Sequence, residues 1–172
     1  MRKLKLYIAT SLDGYIAGPK GEIDWLEAGG DLDYAYHDFY ASIDTSLMGN
    51  DTYRLTLTIG TFPYPEKTNY VFTRDAPPSD TPHVRFISGD IAAFVRALKD
   101  DPGEDIWLVG GGQINTVMLN ARLIDELILT VFPVVLGAGI PLFAPGAVHS
   151  GFKTVGCGTY ETGLIQWHLV KE

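Results

Sequence analysis

The sequence predicts an α/β fold in three layers, α-β-α, with a mixed but mostly parallel sheet covered by helices on both faces. Three observations predict it. Apolar runs of strand length alternate along the chain with segments whose apolar residues recur at helical spacing, the pattern of strand–helix–strand units. The chain has 172 residues, the size of one domain and enough to bury roughly 70% of its unfolded surface. Finally, Ile106-Trp107-Leu108-Val109 runs into three consecutive glycines, Gly110-Gly111-Gly112, and then into a helical pattern carried by Ile114, Val117, Met118 and Leu119. A strand that turns through bare backbone into a helix start is a ready anion site, because amide N–H groups and the helix dipole favour negative charge. A tight strand–helix turn without a ligand is the competing reading.

The elements follow in order. Lys3–Thr10 reads as the opening strand, and Asp31–Ser42 as a helix with Leu32, Ala35, Tyr36, Phe39 and Tyr40 on its apolar face. Ser46-Leu47-Met48-Gly49 is a short strand meeting a second turn, with Asn50 or Asp51 as cap of the next helix. Asn69–Thr73 and His83–Ile87 are further strands. Ser88 or Asp90 then caps a helix whose stripe is Ile91, Phe94, Val95 and Leu98. Glu126–Val135 is a long apolar strand, and Gly163–Val170 the last one. Pro63, Pro65, Pro77, Pro78 and Pro82 mark two surface loops and not linkers, so residues 1–172 form one domain.

Composition excludes several classes. The net charge is −8 with scattered basic residues, which argues against nucleic acid as partner. No apolar stretch approaches the ~20 residues that span a bilayer, and the N-terminus lacks a signal-peptide core. The single cysteine, Cys157, excludes an intrachain disulfide and a Cys-rich zinc site. The four histidines show no metal-ligand spacing, so no metal is expected. There is no G-x-S-x-G and no Cys/His partner pattern, which leaves hydrolase chemistry without support. A cytoplasmic protein is expected.

Five segments, in order, resemble the dihydrofolate-reductase fold, and more closely its short relatives related to the C-terminal reductase domain of bacterial RibD. They are Tyr7–Ala17 (with Ser11-Leu12-Asp13-Gly14-Tyr15-Ile16-Ala17), Leu47–Tyr53, Val71-Phe72-Thr73-Arg74, Ile106–Gly112, and Asp125–Thr130 with Gly137-Ala138-Gly139-Ile140-Pro141-Leu142-Phe143. The resemblance implies an NADPH site. Ala9 and the loop Asp13, Gly14 and Ile16 would lie along the nicotinamide, and Gly49 and Thr52 would face the phosphates. Phe72, Thr73 and Arg74 would hold the adenosine end, Arg74 on the 2′-phosphate. Val109, Gly110, Gly111, Gly112, Gln113 and Ile114 would cradle the pyrophosphate, with a cis peptide at Gly110-Gly111. Other roles compete: Arg74 as a solvated cation, Asp13 as a turn former, Ile16 and Phe72 as core. Asn50 stands where the family has Arg, and Arg54 is the nearest replacement, so NADPH is preferred over NADH with one cation missing.

On the substrate side the resemblance implies a cleft between the Asp31–Ser42 helix, the Trp25 region and the Glu126–Val135 strand. Counting back from Met48 places Asp33 at the family's helix carboxylate, a candidate for proton relay if burial raises its pKa. Its alternative is a first-turn carboxylate at a helix N-terminus, and Asp24 and Asp31 compete. Thr130 matches the strand threonine that faces substrate, against a mid-strand Thr set by β-propensity. Trp25, Tyr36 and Phe39 could stack on a flat heterocycle or simply be core.

The function so implied is an NADPH-dependent reductase acting on a pyrimidine- or pterin-like ring. The family reaction is reduction of 5-amino-6-(5-phosphoribosylamino)uracil in riboflavin biosynthesis. Against that substrate, no zinc deaminase pattern is present, and the stretch after Thr52 lacks the Asp-Pro-Leu and Arg expected for a phosphoribosyl group. Dihydrofolate reductase proper and a non-catalytic nucleotide-binding protein are the alternatives. The apolar C-terminal strands further predict a two-fold homodimer burying about 1,200–2,000 Å² or more, unless the Gly137–Gly151 loop covers the edge.

Overall fold

The structure, a computed structural model, describes residues 1–30, 33–75 and 81–172. Eight strands form one sheet. They are β1 (Leu4–Thr10), β3 (Ile43–Gly49), β4 (Thr68–Phe72), β5 (Val84–Ile87), β6 (Asp105–Gly110), β7 (Glu126–Val131), β9 (Phe152–Thr159) and β10 (Ile165–Lys171), in the order β5-β4-β3-β6-β1-β7-β10-β9. Pairing is parallel from β5 to β7, whereas β10 runs antiparallel to both neighbours. Two short strands, β2 (Tyr15–Ala17) and β8 (Ile140–Pro141), pair separately. The helices are α1 (Tyr36–Ala41), α2 (Asn50–Ile59), α3 (Ile91–Asp100) and α4 (Gly112–Asn120). The mostly parallel, three-layer arrangement expected from the sequence is present.

Alternation along β1 explains the two cores. Leu4 and Leu6 are fully buried and face α3 and α4, together with Leu47, Ile106, Leu108 and Met118. Tyr7 points to the opposite face, where Phe39, Ile43, Trp107, Tyr36, Tyr40 and Tyr64 form an aromatic layer with α1. One face of the sheet is therefore packed mainly with aliphatic side chains, with Phe72 and Phe94 among them, and the other mainly with rings. At the far end of the strands, buried Arg2 bonds Asp44 and the Thr45 hydroxyl (2.7 Å), and buried Lys99 bonds Asp125 and the Leu123 carbonyl. Each buried charge has its partner, as burial requires.

Several elements differ from the sequence reading. The helix expected over Asp31–Ser42 is only α1; Asp31 and Leu32 lie outside the described residues, as do Pro77 and Pro78 of the second loop. Tyr34 and Ala35 adopt positive φ (48° and 60°) just before it. Tertiary bonds override local helix propensity there: the Tyr34 carbonyl accepts from Tyr7 Oη (2.8 Å) and Gln166 Nε2 (3.1 Å). Strand β7 stops at Val131 instead of Val135, because Pro133 has no N–H to continue the ladder. Gly49, not Asn50 or Asp51, caps α2, whereas Asp90 caps α3 by accepting from the Ala93 amide at 2.9 Å. Strand β9 was unforeseen. Gly156 and Gly158 interrupt its pattern, and pairing with β10 creates it.

Candidate active site

The strand ends of β3, β4 and β6 lie side by side, with Gly49 opposite Phe72 and Met48 opposite Gly110. Two helices start here. Gly49 and Gly111 cap α2 and α4, and neither cap uses a side chain, so the first amides of both helices are left to other partners. The Gly110-Gly111 peptide is cis, as the resemblance implied. The glycines leave room that side chains would fill. A Cβ on Gly111 would lie 3.3 Å from Thr52 Oγ1, one on Gly49 3.1 Å from Ile114, and one on Gly112 2.2 Å from the Pro141 carbonyl oxygen. The structure thus gathers Gly49, Thr52, Gly110, Gly111, Gly112, Ile114 and Ile16, the last 3.9 Å from the Gly111 Cβ position. Beside Gly110 sits fully buried Asn115, whose Nδ2 donates to the Leu142 carbonyl while its Oδ1 has no partner among the described residues.

Arg74 is exposed at the end of this cluster and donates to Gln113 Oε1 at 2.5 Å, tying together two residues named from the sequence. Thr73 extends from β4 and donates its amide to the Ile87 carbonyl. Phe72 is a correction: its side chain is buried in the aliphatic core against Phe94, so it offers no ring to an adenosine. Val109 likewise packs toward the aromatic face from β6. Asp13 holds its own loop. Its carboxylate accepts from the Leu136 and Gly137 amides (3.1 and 2.7 Å) and from Ser11, whose bond chiefly holds its pKa below the usual carboxylate range. Gly14 turns that loop at φ 80°. Asp13 thus forms the turn of its loop.

A cavity of about 450 Å³ opens beside β1. Tyr7, Tyr34, Tyr36, Phe132 and Leu26 line it, with Asp33 and His37 on one wall. Asp33 is 44% exposed, not a carboxylate enclosed in an apolar cleft. It bonds the His37 ring and accepts from the His37 amide at 3.1 Å, so it occupies the start of α1. Thr130 is buried, directly opposite Ala9 in the β1–β7 register, and its hydroxyl accepts from Gln166 Nε2 at 2.9 Å. Burial pushes the Tyr7 phenol up to about 12. Of the three aromatic candidates, Tyr36 lines the cavity and Phe39 and Trp25 do not. Phe39 is buried beneath Tyr7, ring centroids 4.4 Å apart, because its helix face meets the sheet. Trp25 packs edge-on against Phe132 and lines a neighbouring cavity of about 330 Å³ with exposed Asp24. Sequence reasoning missed Tyr7 and Gln166. Tyr7 lies two residues before Ala9 on the same strand face, and Gln166 alternates with apolar residues, a period-two signal that was there to use.

Known proteins share this architecture. The RibD C-terminal domain model matches residues 2–166. The uncharacterized protein YwjB of Bacillus subtilis is 46% identical over 173 residues, covering 99% of this chain and 98% of that protein. A "putative riboflavin biosynthesis protein" of Shewanella sp. PV-4 superimposes with a TM-score of 0.82 at 28% identity, covering 99% of both chains. A dihydrofolate reductase from Enterococcus faecalis, solved with NADP(H), has a TM-score of 0.72 at 18% identity over 99% of this chain and 96% of its own, and shares the fold. The chain belongs to the RibD C-terminal domain family.

Proposed function

We propose that this member of the family is an NADPH-dependent reductase that delivers hydride to a C=O or C=N of a pyrimidine- or pterin-like small molecule. The observation that carries the reading is the convergence of two helix starts, at Gly49 and Gly111, on a glycine cradle with no side-chain caps. Backbone donors of this kind suit the phosphates of a dinucleotide, with Thr52 adding a hydroxyl. Bound there, the nicotinamide supplies the hydride. The chain's own residues bind, orient and exclude water. Arg74, held by Gln113, meets the 2′-phosphate; Ala9 and Ile16 flank the nicotinamide; Asn115 Oδ1 is a buried acceptor beside Gly110. Thr130, fixed by Gln166, lies across the strand from Ala9, where ring and substrate would meet. Asp33, coupled to His37, is the group of the cavity wall suited to pass a proton.

A single domain in the cytoplasm fits this reading, and so does a two-fold homodimer formed through the C-terminal hairpin. Val155, Ile165 and Trp167 are 52%, 38% and 42% exposed there, and β9 offers an unpaired edge. Sedimentation equilibrium at micromolar protein should give twice the 18.8 kDa chain mass; a single species at the chain mass rejects the dimer.

NADPH consumption against a panel of flavin precursors, dihydrofolate and reactive carbonyls tests the activity, beside calorimetric titration with NADPH. Tight NADPH binding with oxidation by one class of acceptor is expected. Absence of binding by either nicotinamide cofactor rejects the proposal, and binding without turnover on any acceptor favours the non-catalytic alternative.

A further inference from the structure

The segment around the cavity is electrically uneven. Between Lys20 and Arg54 the sequence contains eight Asp and Glu residues and no Lys or Arg. This segment supplies most of the wall of the 450 Å³ cavity, including Leu26, Asp33, Tyr34, Tyr36 and His37. No Lys or Arg lines that cavity among the described residues, and Asp31 and Leu32, which lie outside them in the same segment, are not cationic by type. His37 is the one side chain there that can become cationic, and it is bonded to Asp33. Amides at the start of α1 give no anion site either, since the Asp33 carboxylate already accepts from the His37 N–H.

The floor is a ring stack: Tyr7 lies on Phe39 at 4.4 Å and meets Tyr36 edge-on at 5.9 Å. Aromatic faces are electron-rich and attract flat, uncharged or cationic rings. A phosphate dianion in this cavity would face the Asp33 carboxylate with no lysine or arginine to offset the repulsion, and with His37 already bonded to that carboxylate.

We propose that the cavity takes an unphosphorylated flat heteroaromatic substrate, uncharged or cationic, and rejects its phosphate ester. This names the substrate class of the reductase reading above and rests on it for the chemistry, though not for the charge preference. Selection by missing cation and placed carboxylate is discrimination by penalty.

The test uses two matched pairs, riboflavin with FMN and 5-amino-6-ribitylaminouracil with its 5′-phosphate. Equilibrium dialysis is run with the intact protein under saturating NADP⁺, which occupies the glycine cradle so that no phosphate probe can bind there. In both pairs the unphosphorylated member should bind about tenfold tighter or better, equivalent to about 1.4 kcal/mol. Asp33→Asn, which keeps an acceptor for the His37 amide, should narrow the gap by raising affinity for the phosphorylated members. Leu26→Arg should invert the preference. Phosphorylated members binding as tightly as their partners overturn the proposal, and so does failure of both pairs to bind below about 1 mM. If NADP⁺ itself does not bind while the unphosphorylated probes still win, the cofactor reading falls and the charge preference stands.

Discussion

The two candidate binding regions are made of different material. The one proposed for the cofactor is backbone: Gly49, Gly110, Gly111 and Gly112, two helix starts and few side chains. The other is side chain: three tyrosines, Phe132, Leu26 and the Asp33–His37 pair around a cavity. A backbone site recognises what is common to many ligands, phosphate above all, and tolerates changes in its neighbours. A side-chain site recognises one shape and can be altered residue by residue. On the proposed function, the contrast assigns specificity to the side-chain region.

Four substitutions would break or sharpen that contrast. The largest effect is expected from Phe39→Ala, which empties the core beneath Tyr7 and should cost about 3–5 kcal/mol of stability. In the protein that remains folded, NADPH affinity should be unchanged; a selective loss of NADPH binding would mean the two regions are not independent. Arg74→Ala should weaken NADPH by about 1.5–3 kcal/mol and NADH far less, read by calorimetry. Equal losses would return Arg74 to a supporting role. Gly112→Ala drives a Cβ into the Pro141 carbonyl oxygen, which belongs to the backbone and cannot rotate away. A stability loss of about 1–3 kcal/mol with weakened NADPH binding should appear in denaturant unfolding. Thr52→Ala, by contrast, should change stability little.

The smallest effect is alkaline. The Tyr7 phenol ionises near 10 when unfolded and is pushed up to about 12 in the folded chain, mainly by burial. Between those values the unfolded state holds fewer protons than the native one, so stability is complete below pH 10 and falls as pH rises toward 12. Tyr7→Phe should flatten part of that fall in unfolding curves taken across the window; an unchanged slope would show that Tyr7 is not its source.

The same contrast explains what could be read in the sequence. A site built from backbone leaves glycines at fixed places, and Gly49 and Gly110–Gly112 were visible at once. The central strands were visible too, since Leu4, Leu6, Ile106 and Leu108 sit in continuous or alternating apolar runs. The cavity was not. Tyr36, Phe39 and Tyr40 share helical spacing, and spacing alone cannot tell the ring under the sheet from the ring at the opening. Tyr7 and Gln166 are 159 positions apart and meet only because β10 inserts beside β7. Tyr34 escapes any periodic pattern because tertiary bonds, not local propensity, hold its left-handed backbone. Strand β9 has two glycines and little burial, so only its partner makes it a strand.

The place of β1 in the sheet has a consequence for the newborn chain. It is the first strand made, yet its neighbours are β6 and β7, whose paired residues begin about a hundred positions later. At a synthesis rate of about 5–20 residues per second, Leu4 and Leu6 wait on the order of 5–20 s before either partner emerges from the ribosome. Such distant pairing slows folding even after release. During that interval a strand whose Leu4 and Leu6 end fully buried stands exposed to solvent, flanked by the charges of Lys3 and Lys5, which later bond Glu126 and Asp105.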